Sequence, residues 1–171
     1  MQQSSTPSFN LGSDLAAMPL FSSLDLEITQ AIATDAEQIA LPAGKWLFRQ
    51  GEASGALYVV LAGQLEVLSL VEGQGEKLVG EIGPGELIGE MEILSGKPYI
   101  ASLRALTDVR LAKISKVVFE DIAQAQPEFL TWIGEIIQER LGRRQLFEAL
   151  PKLFGPLDME TMHEIEARLE W

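Results

Sequence analysis

The sequence predicts a mainly β fold, an antiparallel roll or barrel of about seven or eight short strands with helices flanking it. Between Gln38 and Ile114, apolar stretches of three to seven residues are bounded by glycine or by charged residues, which is typical of short strands joined by tight turns. Before and after this region, apolar residues recur at three- and four-residue spacing, as in amphipathic helices. Together these two patterns indicate a rolled sheet between flanking helices.

Composition excludes several classes of function. The formal net charge of -12 opposes non-specific binding of nucleic acid, whose phosphates require clustered Lys and Arg. The absence of cysteine excludes disulfides, a thiol nucleophile and a cysteine-ligated metal. No apolar run approaches the roughly 18 residues needed to span a bilayer, and the polar start from Met1 to Asn10 does not resemble a secretory signal. We therefore expect a cytoplasmic protein that makes no membrane contact through this chain.

The first helix is predicted to follow Pro19, and residues 1–18 are expected to form an N-terminal tail rich in polar residues. Ser22 or Ser23 is the predicted N-cap, with Asp25 placed three residues after Ser22 to complete a capping box. The apolar face of this helix consists of Leu24, Ile28, Ala31 and Ile32.

Strands and turns follow. The clearest predicted strands are Trp46–Phe48, Leu57–Leu61, Leu65–Val71 and Leu78–Ile82. The glycines at 73 and 75 predict a hairpin turn, and Gly83-Pro84-Gly85 predicts a tight turn.

Two more helices are predicted after the strands. Ser115 is a suitable N-cap for a helix over Val117–Ala125, and Pro127 favours the start of the next helix, because proline is tolerated in a first turn. This last helix, over residues 127–148, carries a wide apolar stripe and is expected to end at Pro151. Such a stripe requires a partner, which is the roll, an adjacent domain or a second copy in a homodimer.

A repeat sets the last part of the chain apart. Leu20-Phe21-x-x-Leu24-Asp25-x-Glu27 recurs at a constant offset of 133 residues as Leu153-Phe154-x-x-Leu157-Asp158-x-Glu160. Two unrelated amphipathic helices would also explain the pattern, but we favour a second copy of the domain, cut off at Trp171. The expected organisation is a tail over 1–18, a domain over 19–150, and a linker with the first helix of a truncated second copy over 151–171.

Glycines recur in a longer pattern with matching apolar residues between them. The segments Leu41–Glu52, Ala56–Val67, Gly83–Met91 and Leu94–Pro98 hold glycines at positions 44, 51, 63, 83 or 85, and 89. In this order they resemble the cyclic-nucleotide-binding domain of the catabolite activator, protein kinase A regulatory subunit and cyclic-nucleotide-gated channel families, over about residues 19–148. The resemblance implies a jelly-roll-like β-roll of about eight strands, an N-terminal helix, a short phosphate-cassette helix and a long C-terminal helix. It also implies a regulatory domain that senses cyclic AMP, cyclic GMP or a related small anion and signals through its C-terminal helix.

The resemblance places the ligand site in two short segments, and its residues are Ile88, Gly89, Glu90, Met91, Tyr99, Ile100, Ala101 and Ser102. In the family, the glycine matching Gly89 opens the helix that holds the cyclic phosphate, where exposed N–H groups and the helix dipole favour an anion. Glu90 resembles the glutamate that accepts a hydrogen bond from the ribose 2′-OH, although an acid at a helix start is also stabilised by the dipole alone. Ser102 keeps the small hydroxyl position of the family.

Two of these residues depart from the family pattern. Tyr99 stands where the family has an arginine that pairs with the cyclic phosphate, and Ile100 stands where it usually has serine or alanine. A phenol offers one neutral donor, whereas guanidinium offers a permanent charge and a fork matched to phosphate oxygens. Losing that charged hydrogen bond, about 1.5 to 3 kcal/mol, weakens binding about ten- to a hundred-fold. We therefore expect a degenerate cassette, in which the branched side chain of Ile100 also obstructs the backbone's approach to phosphate.

Several functions compete on this fold. A regulatory sensor and an interaction module with a vestigial pocket both fit the residues. A cupin-like metal enzyme needs two or three histidines, and the chain has one, His163, outside the roll. A transcription factor would need a helix-turn-helix, but the acidic residues after Leu150 match a second sensor domain instead.

Two further motifs indicate the kind of parent protein. The Leu-Phe-x-x-Leu-Asp opening and the strand over residues 47–52 are similar to tandem domains in the regulatory half of the neuropathy target esterase family, which are patatin-like phospholipases. No Gly-x-Ser-x-Gly motif, the nucleophile turn of many hydrolases, occurs in the 171 residues. We therefore expect that this chain is not itself an enzyme, and that any hydrolase domain lies elsewhere in a longer protein.

Overall fold

The structure is a computed structural model that describes residues 10–154, without the side chains of residue 141 and residues 143–154. This range holds five α-helices, eight strands and a short 3-10 turn at Pro19–Phe21. The elements are α1 (Leu11–Ala16), α2 (Leu26–Asp35), β1 (Glu37–Leu41), β2 (Trp46–Phe48), β3 (Ala56–Ala62), β4 (Leu65–Val71), β5 (Gly75–Ile82), β6 (Leu87–Ile88), α3 (Glu90–Ser95), β7 (Ser102–Ala105), β8 (Val109–Ser115), α4 (Lys116–Ala125) and α5 (Glu128–Phe154). The chain divides into two compact units, of which the first ends at Phe129 and the second begins at Leu130.

The strands form two antiparallel four-stranded sheets. One has the order β1-β8-β3-β6 and the other β2-β7-β4-β5, so strands far apart in the chain lie side by side. The pairing of Leu41 with Val109, for example, joins β1 to β8. This architecture confirms the predicted antiparallel β-roll of about eight strands, with helices at its flanks and a short helix between β6 and β7.

The apolar runs in the sequence become the strands for a physical reason that β3 illustrates. This strand pairs with β8 on one side and with β6 on the other, and α4 packs against it. Its residues Ala56–Leu61 are therefore all buried, which explains a continuous apolar run in place of alternation. The chain then turns at Gly63, whose φ of +85° suits glycine, and a Cβ there would collide with the carbonyl oxygen of Asp108.

The interior of the roll is one cluster of apolar and aromatic side chains. Four of its members, Phe48, Tyr58, Ile88 and Tyr99, come from three strands and from the segment between α3 and β7. Its other buried members are Ala56, Val60, Leu65, Leu103, Ala105, Val109 and Leu111. The interior is thus filled from both sheets, and two tyrosines belong to it.

The N-terminal helices differ from the prediction in two respects. Within the segment expected to be a tail, Leu11–Ala16 forms α1, because Asn10 caps it and its leucines are buried where α1 packs against α2. The N-cap of α2 is Asp25 itself, whose Oδ1 accepts a hydrogen bond from the Glu27 N–H at 3.0 Å. The predicted cap at Ser22 or Ser23 is wrong, since the Ser22 hydroxyl donates to the Pro19 carbonyl oxygen and closes the preceding turn instead.

The last two helices begin close to where the sequence predicts them. Ser115 is the N-cap of α4 and accepts a hydrogen bond from the Val118 N–H at 3.3 Å, and α5 begins one residue after Pro127. The predicted end at Pro151 is wrong, because α5 continues to Phe154. A helix tolerates an internal proline at the loss of one hydrogen bond where its neighbouring turns persist.

Several expectations for the end of the chain fall outside the described residues. The second half of the repeat, from residue 155 onward, and His163 are among them, and the domain bounds 1–18, 19–150 and 151–171 stay predictions. Across residues 10–154, no helix combines the length and the apolar character that a membrane crossing requires.

Candidate ligand-binding site

The first predicted site segment lies where β6 meets α3. Ile88 ends β6 and pairs with Tyr58 of β3, and this pairing brings the next residue, Gly89, against the start of β3. Gly89 has a φ of +85°, and a Cβ at this position would lie 2.8 Å from the carbonyl oxygen of Ala56. Only glycine fits both the left-handed backbone and the close approach of the two chains. The local structure therefore requires the glycine whether or not a ligand binds.

The residues after Gly89 form a helix of six residues, about one and a half turns. Its N-cap provides no side-chain hydrogen bond. Glu90 and Ile88 are buried, whereas Met91 is exposed at the surface of α3. Of the four predicted site residues in this segment, Ile88, Gly89 and Glu90 therefore face the body of the roll, and Met91 does not.

Tyr99 occupies the interior beside Gly89. Its side chain is 5% exposed, and its ring lies parallel to the ring of Phe48, with centroids 3.6 Å apart and 6° between the planes. Its hydroxyl donates a hydrogen bond to the Ala56 carbonyl oxygen at 3.4 Å. Its Cε1 lies 3.6 Å from where a Cβ of Gly89 would be. The phenol therefore fills the space between the Gly89 turn, β2 and the start of β3.

The backbone holds Tyr99 in this position from both sides. Its N–H donates to the Glu52 carbonyl oxygen at 2.9 Å, and its carbonyl oxygen accepts from the Gly51 N–H at 2.8 Å. These two bonds pair the residue with the loop between β2 and β3 as one strand residue pairs with another. Outward movement of the ring would thus require rotation of the side chain within a fixed backbone.

The two interior tyrosines are neutral over a wide pH range. Burial raises the pKa of Tyr99 to about 12, and the neighbouring Tyr58 adds to this shift. Burial also raises the pKa of Tyr58. The Tyr58 ring is tilted against Phe48, with centroids 6.1 Å apart. At neutral pH these side chains offer hydroxyl donors and aromatic faces but no charge.

The remaining predicted residues separate into surface and interior positions. Ile100 is 60% exposed, so its side chain lies at the surface, and Tyr99 occupies the interior instead. Ala101 is half-buried. Ser102 is buried, and its Oγ accepts a hydrogen bond from the Gln50 N–H at 2.9 Å. The hydroxyl of Ser102 is thus already engaged by the backbone of the β2–β3 loop.

The positively charged side chains near the predicted site, residues 88–102, do not point into the interior of the roll. Lys97 is exposed. Arg104 forms an ion pair with Glu66 and lies over the Trp46 ring, with its Cζ 5.1 Å from the ring centroid. Arg49 lies over the same ring at 4.0 Å and pairs with Glu76 at 3.4 Å. Among residues 88–102, the stretch that contains the predicted site, no cation reaches the interior.

The structure also identifies neighbours of the site that the sequence prediction missed. Phe48 stacks on the Tyr99 ring, the Ala56 carbonyl oxygen accepts a hydrogen bond from the Tyr99 hydroxyl, and the Tyr58 side chain also forms a hydrogen bond with Tyr99. The period-two pattern of a strand places Ala56, Tyr58 and Val60 on one face, and this signal could have identified them as interior residues. A separate surface cleft of about 640 Å³ lies at α1, α2 and the start of β1, and none of the predicted site residues lines it.

The fold and the site together define a class of protein. A two-sheet antiparallel roll, with a glycine-initiated short helix between β6 and β7 and helices at both flanks, is a regulatory domain and not a catalytic one. The family model described as "Cyclic nucleotide-binding domain" matches residues 38–126, and the chain belongs to this family.

Relatives and solved structures agree with this assignment. The lysophospholipase nte1 of Aspergillus fumigatus is 37% identical over 107 residues, which cover 61% of this chain but 7% of that protein. The catabolite activator protein of Thermus thermophilus superposes with a TM-score of 0.70 at 28% identity, over 78% of this chain and 63% of that one. The regulatory subunit of a cAMP-independent protein kinase A from Trypanosoma brucei gives 0.62 at 28% identity, over 75% and 49%. The similarity to phospholipases of the neuropathy target esterase type, predicted from the sequence, is therefore confirmed.

Proposed function

We propose that this chain is a regulatory interaction domain of a longer protein related to the lysophospholipases, and that it acts without binding a cyclic nucleotide at micromolar affinity. The observation that carries this proposal is the position of Tyr99, buried and stacked on Phe48 beside Gly89. In the family, that position belongs to the arginine that pairs with the cyclic phosphate. Here an aromatic side chain fills the interior where the phosphate would be held.

Three free-energy costs oppose the binding of a cyclic nucleotide at this site. Moving Tyr99 out of the interior loses its apolar burial, roughly 1.5 to 3 kcal/mol, and its stacking on Phe48, about 1 kcal/mol. The missing guanidinium removes about 1.5 to 3 kcal/mol of charged hydrogen bonding. The sum is on the order of 5 kcal/mol, which corresponds to a loss of about a thousand-fold or more in affinity. A ligand that binds the family at micromolar concentration would then bind here at millimolar concentration.

The relatives support the proposed context. This chain corresponds to 7% of the length of the A. fumigatus lysophospholipase, so the hydrolytic chemistry of such a protein would lie in its other regions. The predicted domain over 19–150 and a second copy from 151 would then be successive modules of one regulatory part. The Trypanosoma protein, described as cAMP-independent, is a structural neighbour in which the same fold serves a kinase regulatory subunit.

A second candidate function, sensing of cyclic AMP or cyclic GMP, is favoured by one observation. The turn at Gly89 and the buried Glu90 at the first position of α3 keep the arrangement that the resemblance associates with ribose and phosphate. In this candidate, Tyr99 would rotate outward on binding and α5 would report the occupancy. The ligand would have to bind the rotated state more tightly than the observed one.

Isothermal titration with cyclic AMP and cyclic GMP tests the proposal. We expect no saturable heat when the unmodified chain is titrated up to about 1 mM nucleotide. A Kd of about 1 mM corresponds to a binding free energy near -4 kcal/mol, so tighter binding would be detected. Two variants distinguish the effect of the space that the Tyr99 ring fills from the effect of the missing positive charge. Tyr99→Ala opens the interior without a cation, and Tyr99→Arg with Ile100→Ala restores the family pattern, so we expect binding to appear in the double variant only. Micromolar binding to the unmodified chain that Glu90→Ala abolishes would contradict the proposal and establish a sensor.

A further inference from the structure

The outer edge of β5 is the most exposed strand edge in the described part of the chain. β5 is eight residues long and ends the order β2-β7-β4-β5, so only β4 pairs with it there. Every residue from Gly75 to Glu81 is exposed. Leu78 and Val79 are 57% and 59% exposed, and Leu70 on β4 is 63% exposed. A strand edge with unpaired backbone groups and exposed apolar side chains is a template for another strand.

A row of paired residues crosses the sheet and ends at this edge. Trp46 pairs with Arg104, Arg104 with Glu66, and Glu66 with Glu81. Arg104 neutralises Glu66 through an ion pair and lies over the Trp46 ring. Glu81 stands directly opposite Glu66, whose charge Arg104 already offsets, so Glu81 is the acid at the end of this row that remains to be neutralised. Among the described residues, Glu81 has no ion-pair partner, so the next position outward in this row favours a Lys or Arg.

A second copy of the chain does not supply that cation. The one basic residue of β5 is Lys77, which pairs with Ser69, whereas Glu81 pairs with Glu66 three residues away on β4. Residues an odd number of positions apart on a strand point to opposite faces, so Lys77 and Glu81 lie on different faces of the sheet. Self-pairing of two β5 edges in a continuous sheet would therefore place no basic side chain of β5 opposite Glu81, and Arg49, which lies beside this strand, is already paired with Glu76. The occupant that fits the edge is a different segment.

We propose that the β5 edge is a docking site for an extended segment of a partner protein or domain, which adds a strand and places a basic side chain opposite Glu81 and an apolar one opposite Leu78. On β4, Leu68 and Glu66 are two residues apart and so lie on the same face of the sheet. Their partners on β5, Leu78 and Glu81, therefore share that face as well. The partner strand thus carries its basic and apolar residues on one face. β5 has an extra residue at Val79, since Val67 pairs with Gly80 and Leu68 with Leu78. This bulge bends the strand, so an added strand pairs regularly only on either side of Val79.

The inference rests on the proposed interaction function, and the two are tested separately. The probe is a seven-residue peptide, acetylated at its N-terminus and amidated at its C-terminus. Threonine occupies positions 1, 3, 5 and 7, and valine, lysine and valine occupy positions 2, 4 and 6. The control peptide has glutamate in place of the lysine. Fluorescence polarisation measures binding, and amide hydrogen exchange measures protection along residues 76–82. We expect binding of the lysine peptide with a Kd below about 1 mM, no binding of the glutamate peptide, and protection of β5.

Matched variants identify the contact. Glu81→Lys is expected to weaken binding about tenfold or more, whereas Glu72→Lys, the same charge change in the hairpin turn, is expected to weaken it less than about twofold. Circular dichroism of both variants checks that they fold. Equal weakening by the two variants, absence of binding at about 1 mM, or protection elsewhere than β5 would overturn the proposal. A concentration-dependent dimer in sedimentation that Glu81→Lys abolishes would instead assign the edge to a second copy. Binding of cyclic nucleotide would contradict the proposed function but leave this edge untouched.

Discussion

The ring of Tyr99 lies parallel to the ring of Phe48, with centroids 3.6 Å apart and 6° between the planes. Phe48 ends β2, and Tyr99 lies in the segment between α3 and β7, so this contact joins the cassette to the interior of the roll. The tyrosine hydroxyl adds a hydrogen bond to the Ala56 carbonyl oxygen of β3. One side chain thus connects three parts of the domain, and its removal affects stability as well as the space available for a ligand.

Tyr99→Ala is expected to lower the free energy of unfolding by about 3 to 5 kcal/mol, the usual cost of truncating a buried aromatic side chain. Tyr99→Phe keeps the stacked ring and loses the hydrogen bonds of the hydroxyl, to the Ala56 carbonyl oxygen and with Tyr58, so about 1 to 2 kcal/mol is expected. Urea unfolding followed by circular dichroism measures both. A loss below about 1 kcal/mol in the alanine variant would show that Tyr99 is not part of the core.

Alkaline pH provides a second test of the same side chain. Burial raises the pKa of Tyr99 from 10.0 to about 12, so the folded state favours the neutral phenol. The resulting stability is complete below pH 10 and is lost as the pH rises through about 12. A shift of two units corresponds to about 3 kcal/mol. Urea unfolding at several pH values should show this fall, and Tyr99→Phe should reduce it, with a remainder from Tyr58, whose pKa burial also raises. An identical fall in the phenylalanine variant would contradict the assignment.

Most of the fold could be predicted because local signals and the global structure agree. The glycine-bounded run at residues 65–71 forms a strand with the predicted bounds, and the apolar run at 57–61 forms a strand that is one residue longer at each end. The N-cap of α2 was predicted incorrectly because Ser22 and Asp25 are both capping residues, and spacing alone does not decide between them.

The site was predicted less completely. The resemblance identified Tyr99 as the departure from the family pattern, but the sequence does not show where its ring points. That direction depends on Phe48, far away in the chain, and on the hydrogen bonds from Gly51 and to Glu52 that fix its backbone. Ile100, the other departure, lies at the surface in the segment that precedes β7, where no strand pattern in the sequence shows which way its side chain points.

Gly89→Ala is expected to destabilise the domain by more than about 2 kcal/mol, since the substitution combines a left-handed backbone with a steric collision. The Cβ would lie 2.8 Å from the Ala56 carbonyl oxygen. Gly85→Ala is a matched control, because Gly85 has a φ of +87° but no atom within 4 Å of the place where a Cβ would lie. About 1 kcal/mol is expected there. Equal losses in urea unfolding would show that the contact with β3 contributes nothing beyond backbone strain.

The N-cap of α2 gives the last prediction. Asp25 accepts a hydrogen bond from the Glu27 N–H, and its carboxylate lies at the positive end of the helix dipole. Asp25→Ala is therefore expected to cost about 1 kcal/mol, and Asp25→Asn, which keeps the acceptor without the charge, about half as much. Ser23→Ala, two residues earlier, is the control and should change the free energy of unfolding by less than about 0.5 kcal/mol. Thermal or urea unfolding distinguishes these values, and a larger loss for Ser23→Ala than for Asp25→Ala would move the cap back to Ser23, one of the two serines predicted from the sequence.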